Sequence, residues 1–294
     1  MDLRKKSLTQ IHIAILFFGL AGLFGKLTSL PPLAIVFGRV IFASVFLFIV
    51  LLIQKQSIKL ENKRDYFYFT MLGVILATHW VTFFLAIQMS TVAIGLLTFS
   101  TFPVFVTFIE PLFFKDRIKG KNIIIAFITL LGVAFVVPSF HFENSMTQGA
   151  IWGVVAGFTF AILSVLNKKY VSEYKSLVIS FYQCTVATIV LIPFIFISRP
   201  VFELKDIVLL AVLGIVFTGI SHTLFIHGLK NVKAQTASII ASLEPVYGII
   251  ATVILIGEIP TAKEIIGGVI ILSMAAYSTI VPSDERADSI LDKT

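Results

Sequence analysis

A carboxylate interrupts an apolar stretch at Glu244, within residues 236–272, which read TASIIASLEPVYGIIATVILIGEIPTAKEIIGGVIIL. Charge is expensive at membrane depth, so a glutamate there binds something, moves a proton or pairs with a cation. Other chemistry-bearing side chains also fall inside apolar runs: Arg39, His79-Trp80, Thr98, Thr101, Gln183, Ser221-His222 and Tyr247. This set suits a zwitterion, with its ammonium near Glu244, its carboxylate toward Arg39 and its side chain against Trp80. The histidines, Ser221, Gln183 and the two threonines add hydrogen-bonding groups, and Tyr247 offers a rim or gate. Glu244 is also the candidate carrier of a coupling proton. Plainer readings compete. An Arg39–Glu244 ion pair closes a gate without touching substrate, Arg39 snorkels to an interface, and the histidines tie helices together.

The elements that must position these residues are helices. Ala234, Ala237, Ala241, Glu244, Gly248 and Ala251 recur at spacings of three and four, which puts them on one helical face. Small residues let membrane helices pack closely, so this face, Glu244 included, turns into the protein. Glu244 follows Lys233 by eleven residues, which places it about 16 Å deep, near a bilayer midplane. Arg39 and Gln183 each lie about 10 Å in, from opposite surfaces. Pro103 and Pro245 remove backbone hydrogen bonds within their runs and make candidate hinges.

Composition agrees with a membrane setting. Hydrophobic residues make up 57% of the 294 and charged residues 13%, against about 25% charged in an average soluble domain. The net charge of +7 is no nucleic-acid signature, because the basic residues sit in short connections between apolar runs. The single Cys184 lies in an apolar run as a packing residue. Arg4-Lys5-Lys6 before the first run reads as the flank of a retained span and not as a cleaved leader. No HExxH, CxxC, nucleophile elbow or phosphate-cradling glycine loop points to an enzyme, and nothing calls for a cofactor.

Ten apolar runs are legible: 12–28, 33–53, 66–87, 92–114, 118–138, 149–166, 177–197, 207–229, 234–256 and 262–281. With the N-terminus inside, 18 of the 23 Lys and Arg fall on the cytoplasmic side and 4 outside, with Arg39 within a span. The positive-inside rule then predicts a multi-pass protein of the plasma (inner) membrane with both termini cytoplasmic, including the tail 282–294. Lys26 and Glu110 read as interfacial, and Asp116 and Glu258 as helix-end caps.

The halves repeat. A shift of 142 residues overlays Pro103-Val104 on Pro245-Val246 and Asp116 on Glu258, and a shift of 144 overlays the 33–39 segment, ending in Arg39, on 177–183, ending in Gln183. Five spans per half is an odd number, so the second half enters from the opposite side. The expected fold is an all-α integral membrane protein of ten transmembrane helices, built as two inverted five-helix repeats. Such a repeat gives two near-equivalent conformations, the requirement for alternating access.

The L-E-P-V-Y-G segment at 243–248, the acidic helix end Gly257-Glu258 and the paired glycines Gly267-Gly268 resemble the end of an EamA-type domain, of the drug/metabolite transporter superfamily. The resemblance covers both halves, 12–138 and 149–281. It implies a ten-helix secondary transporter with a cavity between the halves, an exporter or exchanger of amino acids, related metabolites or drugs. The partners it implies are a small-molecule substrate and the lipid bilayer; Glu244 adds a coupling proton as a candidate partner, and no nucleic acid is expected. The alternative reading is a non-transporting membrane sensor or scaffold, against which stand the short connections.

Overall fold

A computed structural model describes residues 3–114, 120–137 and 141–280. The tail 282–294, Pro138 and the basic connection holding Asp116 lie outside the described residues. Among the described residues the chain is helical, with no strand. The α-helices run α1 (Leu3–Ala21), α2 (Phe24–Leu27), α3 (Pro32–Ile53), α4 (Lys63–Met89), α5 (Val92–Phe99), α6 (Phe102–Phe114), α7 (Gly120–Val136), α8 (Ser145–Tyr170), α9 (Ser176–Ser198), α10 (Leu204–Gly214), α11 (Ser221–Gly228), α12 (Ala234–Ala241), α13 (Glu244–Leu255) and α14 (Ala262–Ile280). A π-helical segment, Ile215–Ile220, joins α10 to α11.

Among the described residues, eight stretches are long and apolar enough to cross a membrane: Leu3–Leu27, Pro32–Ile53, Lys63–Met89, Val92–Phe114, Ser145–Tyr170, Ser176–Ser198, Leu204–Asn231 and Ala234–Leu255. A shorter apolar helix, Ile123–Val136, lies within α7. The first helix begins at Leu3, well before the expected start at residue 12, because the polar, exposed lead-in continues the helix beyond its apolar part. Side chains such as Leu112, Phe196, Ile197 and Ile254 point outward, as lipid-facing residues do.

Local chemistry sets the helix ends. Pro31 and Pro32 open α3, where a missing N–H costs nothing. The Thr91 hydroxyl accepts from the Ile94 amide, 3.0 Å, at the start of α5. Glu203 and Asp206 form a capping box at α10. Gly257, at φ +78°, takes the left-handed turn beyond α13.

The expected single helix across 234–256 is instead two. The helix stops after Ala241, turns through Ser242-Leu243, and restarts at Glu244 with Pro245 in its first turn. Proline at that position has no N–H to give to the preceding turn and its ring crowds the carbonyl before it, so the break falls just ahead of it. An identical break separates α5 from α6 ahead of Pro103. Phe102 and Glu244, the first residues after the two breaks, are 142 positions apart.

Close helix crossings hold the bundle together. α4 packs along α8, α1 along α11, α3 along α9 and α7 along α14, while α5 and α6 meet α8, and α12 and α13 meet α1. A Cβ on Gly19 of α1 would stand 2.7 Å from the Glu244 carbonyl oxygen and 2.9 Å from the Tyr247 Cβ. A Cβ on Gly157 of α8 would stand 2.7 Å from the Phe99 carbonyl oxygen. Only glycine fits at these contacts, so backbones approach closely where the two breaks occur.

Candidate substrate site

Both breaks face the middle of the bundle, where Phe18, Ala21, Arg39, Leu76, His79, Trp80, Phe83, Phe99, Phe160, His222 and Glu244 enclose one small cavity. Its volume is about 20 Å³, room for roughly one water. Drug-sized ligand pockets measure about 300–1,000 Å³. A drug-sized ligand does not fit this cavity.

Arg39 comes from α3 and is 2% exposed; it does not snorkel. Its Cζ lies 3.9 Å from the centroid of the Trp80 ring, and its Nε donates to Thr218 Oγ1 at 2.9 Å. Thr218 passes the chain on, donating to the Leu213 carbonyl five residues back at 2.8 Å. That bond follows the π-helical register, so the extra residue in the turn aims Thr218 at Arg39. No hydrogen bond to the Arg39 Nη groups occurs among the described residues. A guanidinium has five N–H donors, so most of its capacity remains for a ligand.

Glu244 begins α13 and is 3% exposed. Its carboxylate makes no hydrogen bond or ion pair among the described residues. The competing reading, an Arg39–Glu244 ion pair, is therefore absent among the described residues. The cavity is lined by the unpaired Glu244 carboxyl and by the Arg39 guanidinium, whose Nη groups make no hydrogen bond among the described residues.

The histidines are oriented from behind. His79 Nδ1 donates to the Ala156 carbonyl at 3.0 Å, which leaves Nε2 as an acceptor. His222 Nε2 donates to Gln183 Oε1 at 2.8 Å, and Gln183 Nε2 donates to Asn167 Oδ1 at 2.6 Å. The ring pair Trp80–His222 sits edge to face at 5.7 Å, and His79 lies 5.2 Å from Phe160 and 5.6 Å from Phe99.

Of the ten residues expected at the site, five reach the cavity: Arg39, His79, Trp80, His222 and Glu244. Gln183 lies one layer out, behind His222. Thr98 and Thr101 do not reach it; their hydroxyls return to the Ile94 carbonyl, 2.7 Å, and the Thr98 carbonyl, 2.9 Å. Ser221 is buried with an unpartnered hydroxyl oxygen away from the cavity wall. Tyr247 is half-buried at the Gly19 crossing. The arginine guanidinium covers a face of Trp80, and the phenylalanines at 18, 83, 99 and 160 supply the other aromatic lining. Thr218 and Asn167 carry no signal in the sequence.

Acidic residues at the ends of the runs do structural work. Glu110 is buried within the protein and accepts from the amides of Ala234, 3.1 Å, and Gln235, 3.0 Å, at the start of α12. Glu258 caps α5 in the same manner, accepting from the Val92 amide at 2.6 Å.

Buried ionisable groups around a cavity, inside a bundle of apolar helices, are the make-up of a membrane transport protein. The chain belongs to the EamA-like transporter family, which matches residues 6–137 and again 147–279. It is 27% identical over 285 residues to an uncharacterized transporter, YxxF, of Bacillus subtilis, covering 94% of this chain and 90% of that protein. It is 26% identical over 271 residues to an S-adenosylmethionine uptake transporter of Rickettsia bellii, covering 89% and 88%. A solved crystal structure shares its fold, with a TM-score of 0.71 at 16% identity over 94% of this chain and 97% of the other.

Proposed function

We propose that the protein is a secondary-active transporter of the plasma (inner) membrane that exports or exchanges amino acids or related small metabolites or drugs by alternating access. The substrate we favour is a zwitterion, with its ammonium on Glu244, its carboxylate on the Nη groups of Arg39 and its apolar part among the phenylalanines. The observation that carries this is a carboxyl, Glu244, and a guanidinium, Arg39, on one cavity, contributed by different halves of the chain and not bonded to each other among the described residues. A resident ion pair leaves nothing for a substrate to satisfy; two groups not bonded to each other do. The name of the Rickettsia relative accords with this class, since S-adenosylmethionine carries an amino-acid zwitterion.

Two inverted five-helix repeats, 12–138 and 149–281, making ten spans with both termini cytoplasmic, are part of the same reading. Support comes from matched features. The α4–α8 packing has its counterpart in α11–α1, α5 and α6 against α8 has its counterpart in α12 and α13 against α1, and the two helix breaks share one offset. Reporter fusions after residue 121 and after Asn144 test the topology and should label opposite sides. Counterflow in proteoliposomes with a panel of amino acids, S-adenosylmethionine and hydrophobic cations tests the substrate class. Accumulation of a labelled zwitterion, blocked by its unlabelled form, is the expected result; accumulation of hydrophobic cations alone would exclude a zwitterion site.

A further inference from the structure

Among the described residues three hydroxyl–carboxylate bonds join the halves: Thr91 donates to Glu264 Oε1 at 2.6 Å, and two others, which share a repeat offset, stand at opposite ends of the bundle. Tyr174, in the connection between α8 and α9, donates from its phenol to Asp65 Oδ2 at 2.5 Å. Thr28, in the connection between α2 and α3, donates to Asp206 Oδ1 at 2.6 Å. Asp65 and Asp206 each sit in the first turn of a long span, α4 and α10, and each is buried. They are 141 positions apart, close to the offset that relates the helix breaks. Each carboxylate therefore grips a hydroxyl from the other half's first connection.

The two bonds lie far apart. Asp65 opens α4, whereas the other end of that helix lies near Thr28, where Gln88 Nε2 donates to the Leu30 carbonyl at 2.9 Å. From Asp65 to Ser90 the helix rises about 38 Å, the depth of a membrane. Between them lies the cavity.

A second matched pair ties helices within each half. Lys26 Nζ donates to the Ser90 carbonyl at 2.8 Å, and Lys168 Nζ to the Leu229 carbonyl at 2.8 Å. Lys26 and Lys168 are 142 positions apart, and each puts a cation on helix-terminal carbonyls that lack intrahelical donors. These ties lie within one half each, whereas the hydroxyl–carboxylate bonds bridge the halves.

We infer that Tyr174–Asp65 and Thr28–Asp206 are the paired gate latches of this transporter, each holding one face of the membrane closed and each broken when that face opens. The inference rests on the alternating-access reading above. A hydroxyl bond to a carboxylate is short and stronger than a neutral one, yet it leaves no buried charge stranded if water replaces the hydroxyl. That suits a contact broken and remade in every cycle. Burial, and the bond to Asp65, hold the Tyr174 phenol above its ordinary pKa, so it remains a donor at neutral pH.

The test uses Phe83→Cys on the cavity wall in a Cys184→Ala background, reconstituted in one orientation, with an impermeant thiol reagent added from either side. Tyr174→Phe removes one hydroxyl and leaves the ring; Thr28→Val keeps the shape and removes the other. Tyr174→Phe should raise the labelling rate from the Tyr174 side relative to the opposite side by about tenfold, and Thr28→Val should shift the ratio the other way by a similar factor. The double variant should return toward the parent ratio. If the parent thiol labels from each side in turn but neither variant moves the ratio by even twofold, the bonds are structural and the latch assignment is wrong. A parent thiol that labels from one side only, with or without substrate, overturns the alternating-access reading and the latches with it.

Discussion

The Arg39 guanidinium sits over the face of the Trp80 indole, 3.9 Å from Cζ to ring centroid, while Nε is held by Thr218. A cation on an aromatic face is stabilised by about 2 kcal/mol or more when water is excluded. Trp80 therefore replaces hydration for a charge that has no carboxylate in contact. Arg39 is fixed in place without being neutralised, and its Nη groups stay available. Trp80→Leu should raise the KM for a zwitterionic substrate about tenfold or more while protein levels stay near normal, as measured by initial transport rates in vesicles. Arg39→Lys should do at least as much harm, because an ammonium lacks the planar fork that holds Thr218 and a carboxylate together. Equal KM values for parent and Arg39→Lys would remove Arg39 from the site.

Glu244 offers a different test, since its carboxylate is unpaired. Glu244→Gln keeps the volume and a hydrogen-bonding group but cannot hold an ammonium or deliver a proton. Transport should be abolished, or should persist with its dependence on external pH removed, while the folded protein survives detergent extraction as the parent does. The first outcome assigns Glu244 to substrate, the second to coupling. An unchanged rate and pH profile would reduce it to a structural residue.

The inward orientation of Glu244 was legible because small residues at 234, 237, 241 and 248 recur at helical spacing around it and are buried, even though the helix breaks ahead of Glu244. The break ahead of Pro245 was legible only as a hinge, since proline announces the lost hydrogen bond but not whether the chain bends or restarts. Glu110 read as interfacial because it stands at the end of an apolar run; its partners at 234 and 235 lie more than a hundred residues away, and no spacing rule links them. Thr218 was hidden for a related reason. It reaches Arg39 through a π-helical register, and one extra residue in a turn leaves no mark in the pattern of side chains. Thr98 and Thr101 read as polar lining, yet a hydroxyl in an apolar helix often satisfies itself on the preceding turn.

The Gly19–Gly248 crossing positions Glu244 and predicts an effect with no change in site chemistry. A Cβ at Gly248 would stand 2.8 Å from the Gly19 carbonyl oxygen, and one at Gly19 would meet backbone and Cβ atoms of α13. Gly19→Val forces α1 away from α13. Overpacking of this kind costs about 1–3 kcal/mol, so the purified protein should lose thermal stability and transport together. Gly257→Ala, by contrast, strains one turn with nothing within 4 Å of the new methyl. Its effect should be confined to a small loss of stability with transport kinetics unchanged. If Gly19→Val transports and melts like the parent, the close crossing is not needed to hold Glu244.

The cavity wall itself makes the last prediction. Trp80 and His222 line the cavity from helices of opposite halves, whereas Tyr247, one turn from Glu244, sits at the α1 crossing and does not. Single substitutions Trp80→Cys, His222→Cys and Tyr247→Cys, each in a Cys184→Ala background, separate wall from neighbour. The first two thiols should react with small aqueous reagents as the protein cycles, at rates limited by opening, because the cavity admits roughly one water. A zwitterionic substrate should slow both reactions at concentrations near its KM, since it occupies the same volume. The thiol at position 247 should show no substrate protection at those concentrations. Protection at 247 but not at 80 and 222 would move the site to the α1–α13 crossing. Reaction at 80 and 222 that substrate never slows would leave the cavity as a water-filled passage and place the binding residues elsewhere.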